Sequence, residues 1–212
     1  MGEHYVITVG RQYGSGGREI GRRLAERLGI AYYDKELITQ AAKASGMSEK
    51  LFENLDERAT NSLLYSLVMG TYSGVANRIT NLSDLSLNDK LYQFQNKIIR
   101  DGAEKGSCLF VGRCADYVLR EHPRLRSVFI HADMESRKRR VVEEYGQSRQ
   151  GVEQMLMQAD KKRANYYDYY TDRRWGDARN YDLCVSSSLL GIDRTVDLLE
   201  NWVRMSLTES CQ

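Results

Sequence analysis

Apolar positions along the chain follow two alternating rhythms. Val6, Ile7, Thr8 and Val9 form a short β-branched run of the kind a buried parallel strand requires, and similar runs stand at residues 30–33, 107–111, 126–132 and 181–185. Between them the spacing turns helical. Ile20, Leu24 and Leu28, with Ala25 beside Leu24, predict an amphipathic helix starting close to Gly17. Leu37, Ile38, Ala41 and Ala42 predict a second helix, and Leu87, Leu91, Phe94 and Ile98 a long third one closed by Gly102 and Gly106. Another helix is expected over about residues 152–170, and Ile192, Val196, Leu199 and Val203 share one face of the last. This alternation predicts an α/β fold, a five-stranded parallel sheet flanked by helices. Residues 47–88 depart from it: their pattern is polar and mixed without a strand, which reads as a helical insertion. The basic block and following helix at residues 133–172 read as a helix pair able to fold over a ligand as a lid.

Composition narrows the class. A chain of 212 residues with 42% hydrophobic positions can bury one sizeable core, with room for an insertion. A formal charge of +2 is too small to argue for nucleic acid or a membrane surface, yet 22 arginines outnumber 9 lysines, and 12 of those arginines lie between Arg113 and Arg179. Arginine is the side chain suited to bidentate phosphate contact. The four cysteines show no C-x-x-C spacing, so reduced thiols and a cytoplasmic location are expected, and no stretch has the length of a membrane helix.

The most informative segment joins the first strand to the first helix through Gly14-Ser15-Gly16-Gly17-Arg18-Glu19. Glycines there let a backbone curl around an anion, and the helix start directs N–H groups and a positive dipole end at it. The usual phosphate-loop pattern is G-x-x-x-x-G-K-[ST]. Here Arg11 takes the first glycine position, Gly17 replaces the lysine and Arg18 replaces the hydroxyl residue. A dinucleotide-binding G-x-G-x-x-G fits no better, since Glu19 stands at its third glycine. Asp34 ends the second strand, either as a helix N-cap or as a carboxylate near the acceptor or metal. Arg113 follows the third strand at the edge where an α/β sheet opens on its ligand crevice. The run Arg137-Lys138-Arg139-Arg140 is either a solvated helix face or part of a phosphate clamp. Tyr166, Tyr167, Tyr169, Tyr170 and Trp175 form an aromatic cluster suited to packing.

Over nearly its whole length the chain resembles the cytidylate kinase-like family, a branch of the P-loop nucleoside monophosphate kinases. The segments that carry the likeness are ITVGRQYGSGGREIGRRLAERLG, AYYDKELI, LFVGRCADYVL and NYDLCVSSSLLGIDRTVDLL. The resemblance implies a lid, an acceptor-binding insertion, and transfer of the γ-phosphoryl of ATP, with Mg2+, to a nucleoside monophosphate, CMP or dCMP first. By position, Gly14, Ser15, Gly16, Gly17, Arg18 and Glu19 match the nucleotide loop, Asp34 and Arg113 the acceptor side, and Arg137 and Arg163 the lid arginines. Arg18, Arg137 and Arg163 are thus the expected catalytic cations, with Arg18 in place of the missing lysine and Ser15 or water serving magnesium. The match has gaps: Val111 and Cys114 replace the aspartates flanking the family's G-R, and Ala164 stands where the lid carries an aspartate. Two other classes stay open, a nucleotide-binding sensor or scaffold that has lost transfer, and a nucleic-acid-binding module using the arginine-rich lid. A homodimer is compatible with the apolar positions of the insertion.

Overall fold

The computed structural model describes residues 4–34 and 87–208. By its contacts the chain divides into two units, Met1–Lys35 with Ile99–Gln212, and Glu36–Ile98. The expected helix around Leu37 to Ala42 and most of the expected insertion at 47–88 lie outside the described residues.

The first unit carries five parallel strands: β1 (Val6–Arg11), β2 (Ala31–Tyr33), β3 (Cys108–Val111), β4 (Leu125–His131) and β5 (Leu183–Ser186), in the order β2-β3-β1-β4-β5. The first half of β1 suits its central place, since Val6, Ile7 and Val9 are apolar and a central strand is covered on both faces. Val6, Ile7 and Val9 are fully buried. Register sets Val6 opposite Cys108 on one side and Leu125 on the other.

Alternation along β1 divides the core. Ile7 and Val9 join Leu109, Val111, Val128 and Ile130 beneath α1 (Gly17–Leu28) and the last helix, which contributes Val196, Leu199 and Val203. Gly21 lets α1 lie close, because a Cβ there would stand 3.2 Å from Val111 and 3.3 Å from Leu109. On the opposite face lies the end of α2 (Leu87–Lys105), and Phe129 packs there with Trp175 and Tyr181 at ring-centroid distances of 5.3 and 5.0 Å.

Three boundaries differ from the sequence expectation. Gly102 lies inside α2 and does not end it; a Cβ there would sit 3.0 Å from the ring of Phe110, so the glycine serves close helix–sheet approach. Tyr181 does not open the last strand but follows a 3-10 turn at Ala178–Asn180, and β5 begins two residues later. The final helix, α6 (Ser187–Thr208), is broken at Gly191, whose φ of 71° and ψ of 179° are not helical.

The predicted lid is a helix pair. After the four-residue α3 (Ala115–Val118), α4 (Met134–Glu143) starts at Asp133, whose carboxylate accepts from Ser136 N at 2.7 Å. It packs on α5 (Val152–Thr171) through Val141, Val152 and Leu156, and Tyr13 of the glycine loop joins that cluster. Among the described residues no helix is long and apolar enough to cross a membrane.

Candidate phosphate loop and adjoining cleft

β1 ends at Arg11, and the chain then turns through Gln12 to Gly16 into α1. Gly14 and Gly16 both have φ of 77°, a left-handed conformation that favours glycine. Gly16 also sits under Ile192, whose Cδ1 a Cβ there would strike. Gly16 stands at the N-cap of α1 and has no side chain to cap it, and a helix start of this kind is suited to face an anion. Ser15 is fully buried. Its hydroxyl donates to Gln12 O at 2.9 Å and accepts from Gly17 N at 3.3 Å. The hydroxyl expected to serve magnesium is therefore a fastener within the loop.

The outer side of the loop is held by the helix pair α4 and α5. Arg137, on α4, is 4% exposed; its Nε donates to Tyr13 O at 2.7 Å and its Nη2 pairs with Asp160. Asp160, on α5, in turn accepts from Tyr13 N at 2.7 Å. One ion pair thus brackets both ends of a single loop residue. Arg140 Nη1 donates to Gly14 O at 3.0 Å, and Arg163 Nη1 to Arg11 O at 2.8 Å. Burial lowers the pKa of Arg163, opposed by the charge of Asp160. Carbonyl oxygens of the loop are therefore turned toward lid cations.

Arg18, expected at the phosphates, directs Nε and Nη2 at Asp34 Oδ2 at 3.0 and 2.7 Å. Asp34 is 5% exposed, so this guanidinium offsets a buried carboxylate. Any capping by Asp34 of a following helix falls outside the described residues. Glu19 pairs with Arg22 and Arg23 along α1; burial raises its pKa, and those arginines outweigh that and hold it low.

Beside the loop opens a cleft of about 390 Å3 at the carboxyl ends of β1 and β3. Such crevices are where α/β sheets bind ligands. Arg11, Arg113, Lys162 and Arg163 give it positive charge, and Tyr13, Tyr166 and Trp175 give it aromatic walls. Arg113 lies where the sequence placed it, at a φ of 58°, with its guanidinium 5.5 Å from the centroid of Tyr166. At the back is a carboxylate that sequence reasoning passed over. Asp116 is 9% exposed and accepts from Tyr167 Oη at 2.6 Å. Burial raises its pKa, with the Tyr167 hydrogen bond opposing. Burial likewise pushes the Cys114 thiol well up, assisted by the charge of Asp116, so it is no nucleophile at neutral pH.

The structure brings Arg137, Arg163 and the glycines together around one loop, adds Arg140, Asp160 and Arg11 to them, and holds Arg18 to Asp34. Arg140 was legible only as part of the basic run, and Asp160 carried no sequence signal. Among the described residues no group of three or more His, Cys, Asp or Glu side chains converges as a metal site.

A sequence model of the cytidylate kinase-like family matches residues 6–189. Among solved structures, an uncharacterized protein from Eubacterium ventriosum is 27% identical with a TM-score of 0.70, over 94% of this chain and 98% of that one. Shikimate kinase from Bacteroides thetaiotaomicron is 13% identical at TM-score 0.54, over 94% and 98% of the two chains. A gluconokinase from Sinorhizobium meliloti is 13% identical at 0.50, over 99% and 94%. The last two share the fold, that of P-loop kinases. No curated protein matches the chain.

Proposed function

Because the chain belongs to the cytidylate kinase-like family, we propose that it is an ATP-dependent phosphotransferase whose acceptor sits in the cleft beside the glycine loop. The observation that carries this reading is adjacency. The helix start behind Gly14 and Gly16, with glycine at its N-cap, opens beside a cleft bearing Arg113, Lys162 and Arg163. Phosphoryl transfer asks for little else, since catalysis consists of holding donor and acceptor in line and neutralising charge on the transferred group.

In this reading an acceptor oxygen attacks the γ-phosphorus while the bond to the bridging oxygen of ADP breaks. Arg113 binds an anionic acceptor group, and Arg163 reaches the transferred phosphoryl from the lid. Arg137 acts through the loop it braces. The magnesium that accompanies ATP neutralises phosphate charge, and with no carboxylate cluster among the described residues it would ride on phosphate oxygens and keep most of its water. The acceptor we assign first is a nucleoside monophosphate, CMP or dCMP. Tyrosine walls and guanidinium groups suit a base bearing a phosphate.

A second reading, a nucleotide sensor without transfer, is favoured by one observation: the loop has glycine at position 17 where the usual pattern has lysine. A coupled assay of ADP formation from ATP and Mg2+ against a panel of nucleoside monophosphates separates the two. Acceptor-dependent turnover supports the kinase. ATP binding by calorimetry with no turnover on any acceptor supports the sensor.

A further inference from the structure

The missing lysine and the misplaced arginine of the loop are one exchange. In the usual pattern a glycine stands at position 11 and the lysine at position 17; here they are Arg11 and Gly17. The structure explains why the two must change together. A Cβ built on Gly17 would lie 2.6 Å from Arg11 Cβ and 3.0 Å from Arg11 Cγ, closer than side chains pack. The stem of Arg11 therefore fills the space from which a lysine would leave the helix start. Its far end is also accommodated. The guanidinium lies against Gly112 at the end of β3, where a Cβ would run into Nη1 and stand 3.1 Å from Cζ. Gly112 has a φ of 75°, so glycine is favoured there twice over.

We propose that Arg11 is the phosphate-binding cation of this loop, delivering from the end of β1 the positive charge that a lysine at position 17 would deliver from the start of α1. The proposal rests on the phosphotransferase reading and goes beyond it by naming the residue. Arg11 lines the cleft together with Gly112, Arg113 and Arg163. Its backbone is fixed, because its carbonyl accepts from Arg163 and its register is set opposite Ile130. Arg18, the nearer candidate by sequence, is directed instead at Asp34. A guanidinium also offers the outer phosphates two parallel N–H donors where an ammonium offers a point charge.

The exchange can be reversed. Arg11→Gly with Gly17→Lys rebuilds the pattern G-x-x-x-x-G-K over positions 11–17, with Arg18 untouched. Binding of ATP, inorganic tripolyphosphate and adenosine to the full chain is measured by calorimetry for wild type, Arg11→Met, Arg11→Lys, Arg11→Gly, Arg18→Met and the double exchange, with circular dichroism as a fold control. Arg11→Met is expected to weaken ATP and tripolyphosphate about 10- to 100-fold, the loss of one charge-assisted contact, and to leave adenosine unchanged. Arg18→Met is expected to change ATP affinity less than about threefold, and the double exchange to regain at least about tenfold over Arg11→Gly. Should Arg11→Met fail to fold, Arg11→Lys and the double exchange decide. Wild-type ATP affinity in Arg11→Met, or a double exchange no better than Arg11→Gly, overturns the assignment to Arg11 alone. A wild-type chain that binds neither ATP nor tripolyphosphate overturns the phosphotransferase reading and this inference with it.

Discussion

Replacing Arg137 by methionine separates a brace from a phosphate clamp. A clamp would change nucleotide affinity and leave the ligand-free protein as stable as before. The structure predicts the opposite. Arg137 is 4% exposed and Asp160 has a side-chain exposure of 15%; both are hydrogen-bonded to the Tyr13 peptide unit and to each other. Removing the guanidinium costs a charge-assisted hydrogen bond to Tyr13 O, about 1.5 to 3 kcal/mol, and leaves the Asp160 carboxylate with the Tyr13 amide and the charge of Arg163. Breaking buried pairs of this kind costs about 3 to 5 kcal/mol in total. Because part of Asp160 reaches water, we expect about 3 kcal/mol from urea unfolding at pH 7. Asp160→Leu alone leaves the arginine charge buried and is expected to cost a similar amount. In the double variant no charge is stranded, so the loss should fall short of the sum of the singles by about 2 kcal/mol. Additivity within about 0.5 kcal/mol, or an unchanged Arg137→Met, would refute the bracket.

Gly112→Ala forces a side chain into a left-handed position against Arg11, and is expected to lower stability by about 1 to 2 kcal/mol, read from thermal unfolding, while also weakening tripolyphosphate binding. Asp116 holds its proton in the folded protein to a higher pH than its ordinary value of 3.8. That contribution to stability is complete below the unfolded value and is lost as pH rises through the folded one. Asp116→Asn should therefore gain on wild type in urea midpoints as pH rises above 3.8, and a flat difference would count against the buried charge. Asp133 runs the other way: its hydrogen bonds from Ser136 and Ser188 hold its carboxyl down at about 2. Its stabilising effect is present above 3.8 and disappears as pH falls through about 2, so Asp133→Ala should destabilise at pH 7 and matter progressively less in acid.

The sheet was legible because its signal is one-dimensional: short, largely apolar runs such as residues 6–9 and 128–130 present apolar side chains to both faces, as strands covered on both sides require. The glycine loop was legible for the same reason, since Gly14 and Gly16 sit where the backbone needs left-handed φ. Gly102 misled because a glycine in a helical pattern reads as a stop, whereas here it makes room for Phe110, a partner visible only in three dimensions. The partners of the arginines were illegible in kind. Arg137, Arg140 and Arg163 look alike along the chain, and what separates them from exposed Arg179 is which loop carbonyl lies within reach. Arg11 was conspicuous as a departure from the pattern, but its role depends on the space above Gly17 and Gly112, which no spacing rule records.

The central position of β1 has a consequence for how the protein is made. Both neighbours of this strand, β3 and β4, are encoded roughly 100 residues downstream of it, and at bacterial-to-eukaryotic synthesis rates they leave the ribosome about 5 to 20 s later. Until then the run Val6-Ile7-Thr8-Val9 has neither edge paired. The wait is longer for the loop that follows, since its braces on α4 and α5 come later still. Fixing this glycine loop is thus a late event of biogenesis, and the nascent chain passes through a stage in which the apolar start of its central strand must be sheltered before any nucleotide can help to hold it.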